Sequence, residues 1–300
     1  MIVRPRPGLR ATLFATRGSI VRRIAGRAIL FMALACGVVV WAQFYQDPFS
    51  NIGTAPFTLV GLSISIFMSF RNSACYDRWW EGRKQWGQLI FEVRSFARET
   101  STLKERQARA DMLRGLCGFA HTLAARLRDK DEGVAASPWL REAGNLLQSP
   151  NIADAILVHI GATCSALAER GAISEWRYGI LESRLSGLSG AQAACERIKN
   201  TPVPFAYTLL IHRTVYVFCC LLPFGLVGQL GWMTPFLVTV LSYAFLGLDA
   251  LAAELEEPFG RTENGLPLDA LVRIVEREVL AALGAQMLPA ALEPDNFRLL

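Results

Sequence analysis

Residues Phe67 to Gly87 read "FMSFRNSACYDRWWEGRKQWG", and they close a run, Pro48–Phe70, that carries no charge. A soluble core helix shows one apolar stripe and one polar face, so an uncharged run of that length ending in arginines, paired tryptophans and a lysine does not fit it. A membrane boundary accounts for both parts. The hydrocarbon core excludes charge, while Trp, Arg and Lys gather at its border. Composition agrees: 52% of the 300 residues are hydrophobic and 19% charged, more apolar than a soluble domain needs.

Upstream of this border, Ala28–Gln46 is nineteen residues without a charge. About 20 residues cross the hydrocarbon core, so this stretch is read as a retained helix and not as a secretory signal. Seven arginines (4, 6, 10, 17, 22, 23 and 27) precede it, whereas the connection through Asp47-Pro48 and Ala55-Pro56 to the second span has no Lys or Arg. The positive-inside rule therefore places the basic start and the Arg71–Lys84 border in the cytoplasm, with Trp79 and Trp80 in the interfacial belt. The net charge of +5 thus reads as topology, with no nucleic-acid partner implied.

Downstream, the chain turns more polar but keeps steps of three and four, as in Met112, Leu116, Phe119, Leu123 and Leu127, which predicts a helical cytosolic domain. Ser149-Pro150 and Ser174-Glu175 read as helix starts, and Asp129–Ser137 as a loop. A second uncharged block runs from Thr214 to Leu248, thirty-five residues, too long for one span. Pro223, Gly225, Gly228 and Gly231 are expected to break it into helices near Val203–Leu222 and Trp232–Leu251. His212 and Arg213 then fall inside the third span, where a central arginine costs roughly 2.5–3.5 kcal/mol. Either that helix projects below the membrane, or Arg213 faces water or a partner carboxylate. A last amphipathic pattern covers Leu268–Leu283, before an extended tail.

The expected fold is an all-α membrane protein: a cytosolic basic segment (1–27), two transmembrane helices (28–70), a helical cytosolic domain (71–202), two more transmembrane helices (203–251) and a cytosolic C-terminal segment (252–300) packing on that domain. Both termini are cytoplasmic, and the protein is multi-pass in the plasma (inner) membrane, with the lipid bilayer as one partner. An enzyme is not expected. The three histidines (121, 159 and 212) sit in no HExxH, and there is no GxSxG elbow or phosphate loop. His159 and Cys164 read as packing, and seven cysteines (36, 75, 117, 164, 195, 219 and 220) without CxxC spacing give neither a disulfide framework nor a zinc site. No catalytic residue, metal or cofactor is expected.

The second span says more when its residues are set at 100° per step around a helix. With Leu62 at zero, Ile66 falls at about 40°, Phe70 at about 80°, Ser69 at about −20°, Ser73 at about 20° and Asp77 at about 60°. The opposite face holds Val60, Ile64, Phe67 and Met68, suited to lipid or to neighbouring helices. Large apolar groups alternating with hydroxyls can line a water path whose apolar constriction gates by dewetting. They can equally form a packing seam in which serines bond across helices. A pore needs a ring of copies, because four helices cannot both enclose a lumen and bury one another.

The segments "SIFMSFRNSACYDRWWEGRKQWG", "NTPVPFAYTLLIHRTVYVFCCLLPFGLVG" and "AAELEEPFGRTENGLPLDAL", in that order along nearly the whole chain, resemble a bestrophin of the bacterial type. Asp77-Arg78-Trp79-Trp80-Glu81, Thr201–Tyr207 and the Pro258-Phe259-Gly260 turn carry the likeness. The resemblance implies a homopentameric channel for monovalent ions with one central pore. Its animal relatives conduct chloride, and bacterial ones can prefer small cations. It further implies a pore neck of Leu62, Ile66 and Phe70, with Ser69 and Ser73 as pore-facing polar groups, and a cytosolic aperture at Ile180 in "WRYGILESRL". Calcium-activated members carry an acidic run after the Pro-Phe-Gly turn, whereas here Arg261, Thr262, Glu263, Asn264 and Gly265 follow, a poor cage for a hard cation. Calcium gating through that loop is therefore not expected. The alternative is a non-conducting membrane scaffold or receptor whose cytosolic helices bind a partner.

Overall fold

The uncharged run and its basic border form one continuous helix in the computed structural model, which describes residues 1–3, 8, 18–45, 53–141 and 144–300. In chain order the helices are α1 (Val21–Phe44), α2 (Ala55–Glu99), α3 (Arg106–Leu127), α4 (Glu132–Ala136), α5 (Ile152–Glu169), α6 (Glu175–Asn200), α7 (Phe205–Leu230), α8 (Thr234–Glu256) and α9 (Leu268–Ala282). Among the described residues there is no β-strand beyond isolated bridges such as Ile2 with Arg298. The Asp47-Pro48 turn and Arg4, Arg6, Arg10 and Arg17 lie outside the described residues.

The chain divides into two compact units: an apolar unit, Arg4–Trp79 with Pro202–Glu257, and a second unit, Met1–Val3 with Trp80–Thr201 and Pro258–Leu300. In the apolar unit α1, α7, α8 and the first half of α2 share a core of Ile24, Phe31, Ile64, Met68, Val215, Phe218, Val238 and Leu246. Gly61 lets α2 approach α7, since a Cβ there would lie 3.2 Å from the Phe218 ring. The outer surfaces of these helices are also apolar, with Ile29, Leu30, Val217 and Phe236 exposed. Such a surface is stable only against lipid or another apolar partner.

The second apolar block departs from expectation. Pro223, Gly225 and Gly228 do not break it, because α7 runs unbroken to Leu230 and the turn is the short Gly231–Met233 segment. Gly231 has φ +48° and ψ −125°, a backbone conformation that glycine, lacking a Cβ, adopts without strain. Gly225 serves packing instead: a Cβ there would lie 2.1 Å from the Phe57 ring. An intramembrane proline is tolerated where neighbouring helices hold the segment straight.

In the second unit the predicted face Met112, Leu116, Phe119, Leu123 and Leu127 of α3 is wholly buried. It packs with Ile156, Ile160 and Leu167 of α5, Leu185 and Leu188 of α6, and Val275 and Val279 of α9. Helix α5 is long and apolar enough to cross a membrane by composition, yet its apolar residues mostly fill this core. Local capping corrects two expectations. The α5 cap is Asn151, whose Oδ1 accepts from the Asp154 N–H at 3.2 Å, while Ser149 accepts from the Asn151 N–H. The expected loop 129–137 contains α4, capped by Asp131. Ser174 caps α6 as expected, accepting from the Arg177 N–H at 3.2 Å.

Candidate ion pathway

The membrane half of α2 has two opposed stripes. Ile64, Met68, Arg71 and Cys75 are buried, and at 100° per step they centre near 200° on the wheel. Leu62, Ile66 and Phe70 lie roughly opposite and are 58%, 48% and 65% exposed within the subunit, with Ser69 and Ser73 exposed beside them. The predicted rear face divides: Ile64 and Met68 enter the core, whereas Val60 and Phe67 line an apolar hollow of about 320 Å³ with Tyr207, Leu210 and Ile211. Tyr207 Oη donates to the Phe67 carbonyl at 3.1 Å at its edge.

The apolar stretch Phe57–Phe70 is fourteen residues, about 21 Å of helix against a core of about 30 Å. Its first charge, Arg71, must therefore reach the headgroups or find an internal partner. It does the second. Arg71 is 1% exposed, and its Nη1 lies 2.5 Å from Asp249 Oδ1, with Nη2 3.7 Å from Glu256 Oε2. Asp249 Oδ2 also meets His212 Nδ1 at 2.8 Å, and the His212 ring lies 4.6 Å from Tyr216. Arg78 Nε donates to the Glu256 carbonyl at 3.3 Å. Of the two basic residues in the third span, His212 takes the carboxylate, while Arg213 is exposed with no ion pair or side-chain hydrogen bond among the described residues.

This Arg71–Asp249–His212 cluster was not anticipated in the sequence. The signal lay in pairing an arginine that follows a short span with an aspartate that ends another uncharged run, 178 positions later. Removing one member of such a pair strands a buried charge.

In the second unit, Ile180 is half-buried on α6, beside exposed Trp176. Arg177 donates to Thr102 Oγ1 at 2.7 Å, and Tyr178 lines a cleft with Asp154 and Glu182. The loop after Pro258-Phe259-Gly260 is organised by an arginine. Arg128 donates to the Phe259 and Leu266 carbonyls at 3.2 and 3.3 Å and to Asp269 at 2.7 Å, and Arg298 donates to the Arg261 carbonyl. The loop is tight, for a Cβ on Gly265 would lie 2.3 Å from the Gly260 carbonyl oxygen. His159 is exposed while Cys164 is buried against Met112. Burial pushes the Cys164 and Cys195 thiols up to about 12, so neither is a thiolate at neutral pH. Among the described residues no group of three or more His, Cys, Asp or Glu could hold a metal ion.

Apolar helices with apolar outer surfaces, and an arginine neutralised inside them, define an all-α, multi-pass membrane protein. The family model described as Bacterial/Fungal Bestrophin protein matches residues 1–281, and the chain belongs to that family, one of channels and not of enzymes. A Mesorhizobium japonicum protein named a voltage-dependent anion channel-forming protein is 42% identical over 296 residues, covering 97% of this chain and 96% of its own. An Escherichia coli K12 protein of the same description is 38% identical, covering 99% and 98%. The crystal structure of a bacterial bestrophin homolog from Klebsiella pneumoniae is similar with a TM-score of 0.84 at 38% identity, covering 88% of this chain and 100% of that one.

Proposed function

We propose that the chain is one subunit of a homopentameric channel for monovalent ions in the bacterial inner membrane, with both termini in the cytoplasm. One observation carries the reading: on α2 the stripe Leu62, Ile66 and Phe70 faces away from the subunit's own core, with Ser69 and Ser73 beside it. Set around an axis, each position becomes a ring. The apolar rings form the neck, where a narrow passage wets and dries, and the hydroxyls give water and ions partners beside it. Ile180 of the second unit forms a further apolar ring on the cytosolic side. The relatives named for anion-channel formation support conduction, while the apolar neck itself carries no charge to choose a sign.

Calcium does not gate this channel through the loop after Pro258-Phe259-Gly260. There Arg128 already supplies positive charge to two carbonyls and Asp269, and Glu263 is the single carboxylate among positions 261–265.

Reconstitution of the purified protein in planar bilayers tests the reading. The wild type should conduct, and joint replacement of Leu62, Ile66 and Phe70 by alanine should raise the current severalfold by widening and wetting the neck. Absence of current in the wild type, or a triple variant that loses thermal stability without gaining flux, would favour a packing seam in a non-conducting scaffold.

A further inference from the structure

Resting on the channel reading, we infer that Asp77 selects the sign of the permeating ion, as a ring of carboxylates just beyond the neck that favours cations. The border after Phe70 looks cationic in sequence, with Arg71, Arg78, Arg83 and Lys84 against Asp77 and Glu81. The fold sorts these charges by face. Arg71 turns into the subunit, buried against Asp249 and Glu256. Arg78 is half-buried and bonds the Glu256 carbonyl.

Asp77 does the opposite. It is exposed, falls at about 60° on the wheel between Ile66 and Phe70, and makes no hydrogen bond or ion pair among the described residues. The next charge along that face, Lys84, is held by Glu81 at 2.9 Å, and the hydrogen bonds from Lys84 and Gln85 keep the Glu81 carboxyl below its ordinary range. Asp77 is therefore the first unneutralised charge that an ion meets after the neck. Seven residues separate it from Phe70, about 10.5 Å along the helix. That is close to one Debye length at 0.1 M salt, so one carboxylate from every copy keeps much of its field at the neck's mouth.

The experiment measures reversal potentials of the full-length channel in bilayers under a tenfold NaCl gradient. Wild type should reverse on the sodium side. Asp77→Asn should lower the sodium-to-chloride permeability ratio by about threefold or more, Asp77→Arg should carry the reversal to the chloride side, and Asp77→Glu should keep the wild-type value. Asp111→Asn, which neutralises a half-buried carboxylate of α3 that accepts from Gln107, should leave it unchanged. Wild type alone gives a second arm that holds even if the neutral variants do not assemble. Its cation preference should fall between 0.1 M and 1 M salt, as the Debye length contracts from about 10 Å to about 3 Å. A wild type that conducts but reverses on the chloride side overturns the role of Asp77. So does a permeability ratio indifferent to Asp77→Asn and Asp77→Arg, or to salt, and in each case the channel stands. No current from any protein, wild type included, overturns the channel reading itself.

Discussion

Helices α1 and α5 are both apolar enough to span a membrane, yet they belong to different units and present their side chains differently. In α1 the apolar residues go all round: Ile24, Phe31 and Ala35 are buried while Ile29 and Leu30 are exposed. In α5 the apolar residues Ile156, Ile160, Cys164 and Leu167 concentrate on the buried side, with Asp154 and His159 exposed. Total hydrophobicity therefore does not separate a lipid-facing helix from a core helix here. The angular distribution of that hydrophobicity does. The same contrast governs charge where it is buried: inside the apolar unit Arg71 is neutralised by Asp249 and Glu256, whereas α5 of the second unit leaves Asp154 in water.

The largest expected effect breaks that charge rule. Arg71→Ala strands Asp249 in the apolar unit, and a loss of about 3–5 kcal/mol is expected, read as a marked fall in Tm and loss of assembled protein in size-exclusion chromatography. Replacing both Arg71 and Asp249 by apolar residues of similar volume should recover most of that loss. A single variant as stable as the wild type would mean that water or headgroups reach Arg71.

Next comes the same chemical change in the two units. Leu116→Ala removes a side chain with no exposure from the second unit's core and should cost about 2–5 kcal/mol. Leu30→Ala on α1, where the side chain is 65% exposed, should stay within about 0.5 kcal/mol in detergent or lipid. Comparable losses at both sites would mean that Leu30 is covered by another protein surface.

Much of this contrast was legible in the sequence, for reasons specific to each element. Uncharged length marked α1 and the α7–α8 block, and steps of three and four found the α3 face, because burial in one helix leaves a periodic trace. The exposed α2 stripe was legible because it lies on a single helix: Leu62, Ile66 and Phe70 share a face by spacing alone. What escaped depends on a second element. Pro223 and Gly225 read as breakers, but Phe57 from α2 packs over Gly225. The Arg71–Asp249 contact joins positions too distant for any local pattern, and Asn151 outcompeted Ser149 as a cap because it stands immediately before the first helical residue.

Caps give a smaller test confined to the second unit. Ser174→Ala removes the acceptor for the Arg177 N–H and should lower stability by about 1 kcal/mol, whereas Ser149→Ala, away from the cap position, should cost less. Chemical or thermal unfolding of the purified protein separates the two.

The smallest effect is acid sensitivity at Glu276, where the second unit buries a charge as the apolar unit does. Burial opposes ionisation of this carboxyl, but the hydrogen bond with His121 at 2.7 Å and the charges of His121 and Arg273 outweigh it and hold the carboxyl below its ordinary range. A carboxyl lowered in the folded state stabilises above its unfolded value and loses that contribution as pH falls through the folded one. Wild type should therefore lose stability below about pH 4.5 with a slope that Glu276→Gln reduces, while at neutral pH the variant is the less stable of the two. Equal slopes would mean that acid acts first on the other carboxylates of the unit, of which Asp269, held by Arg128 at 2.7 Å, is one.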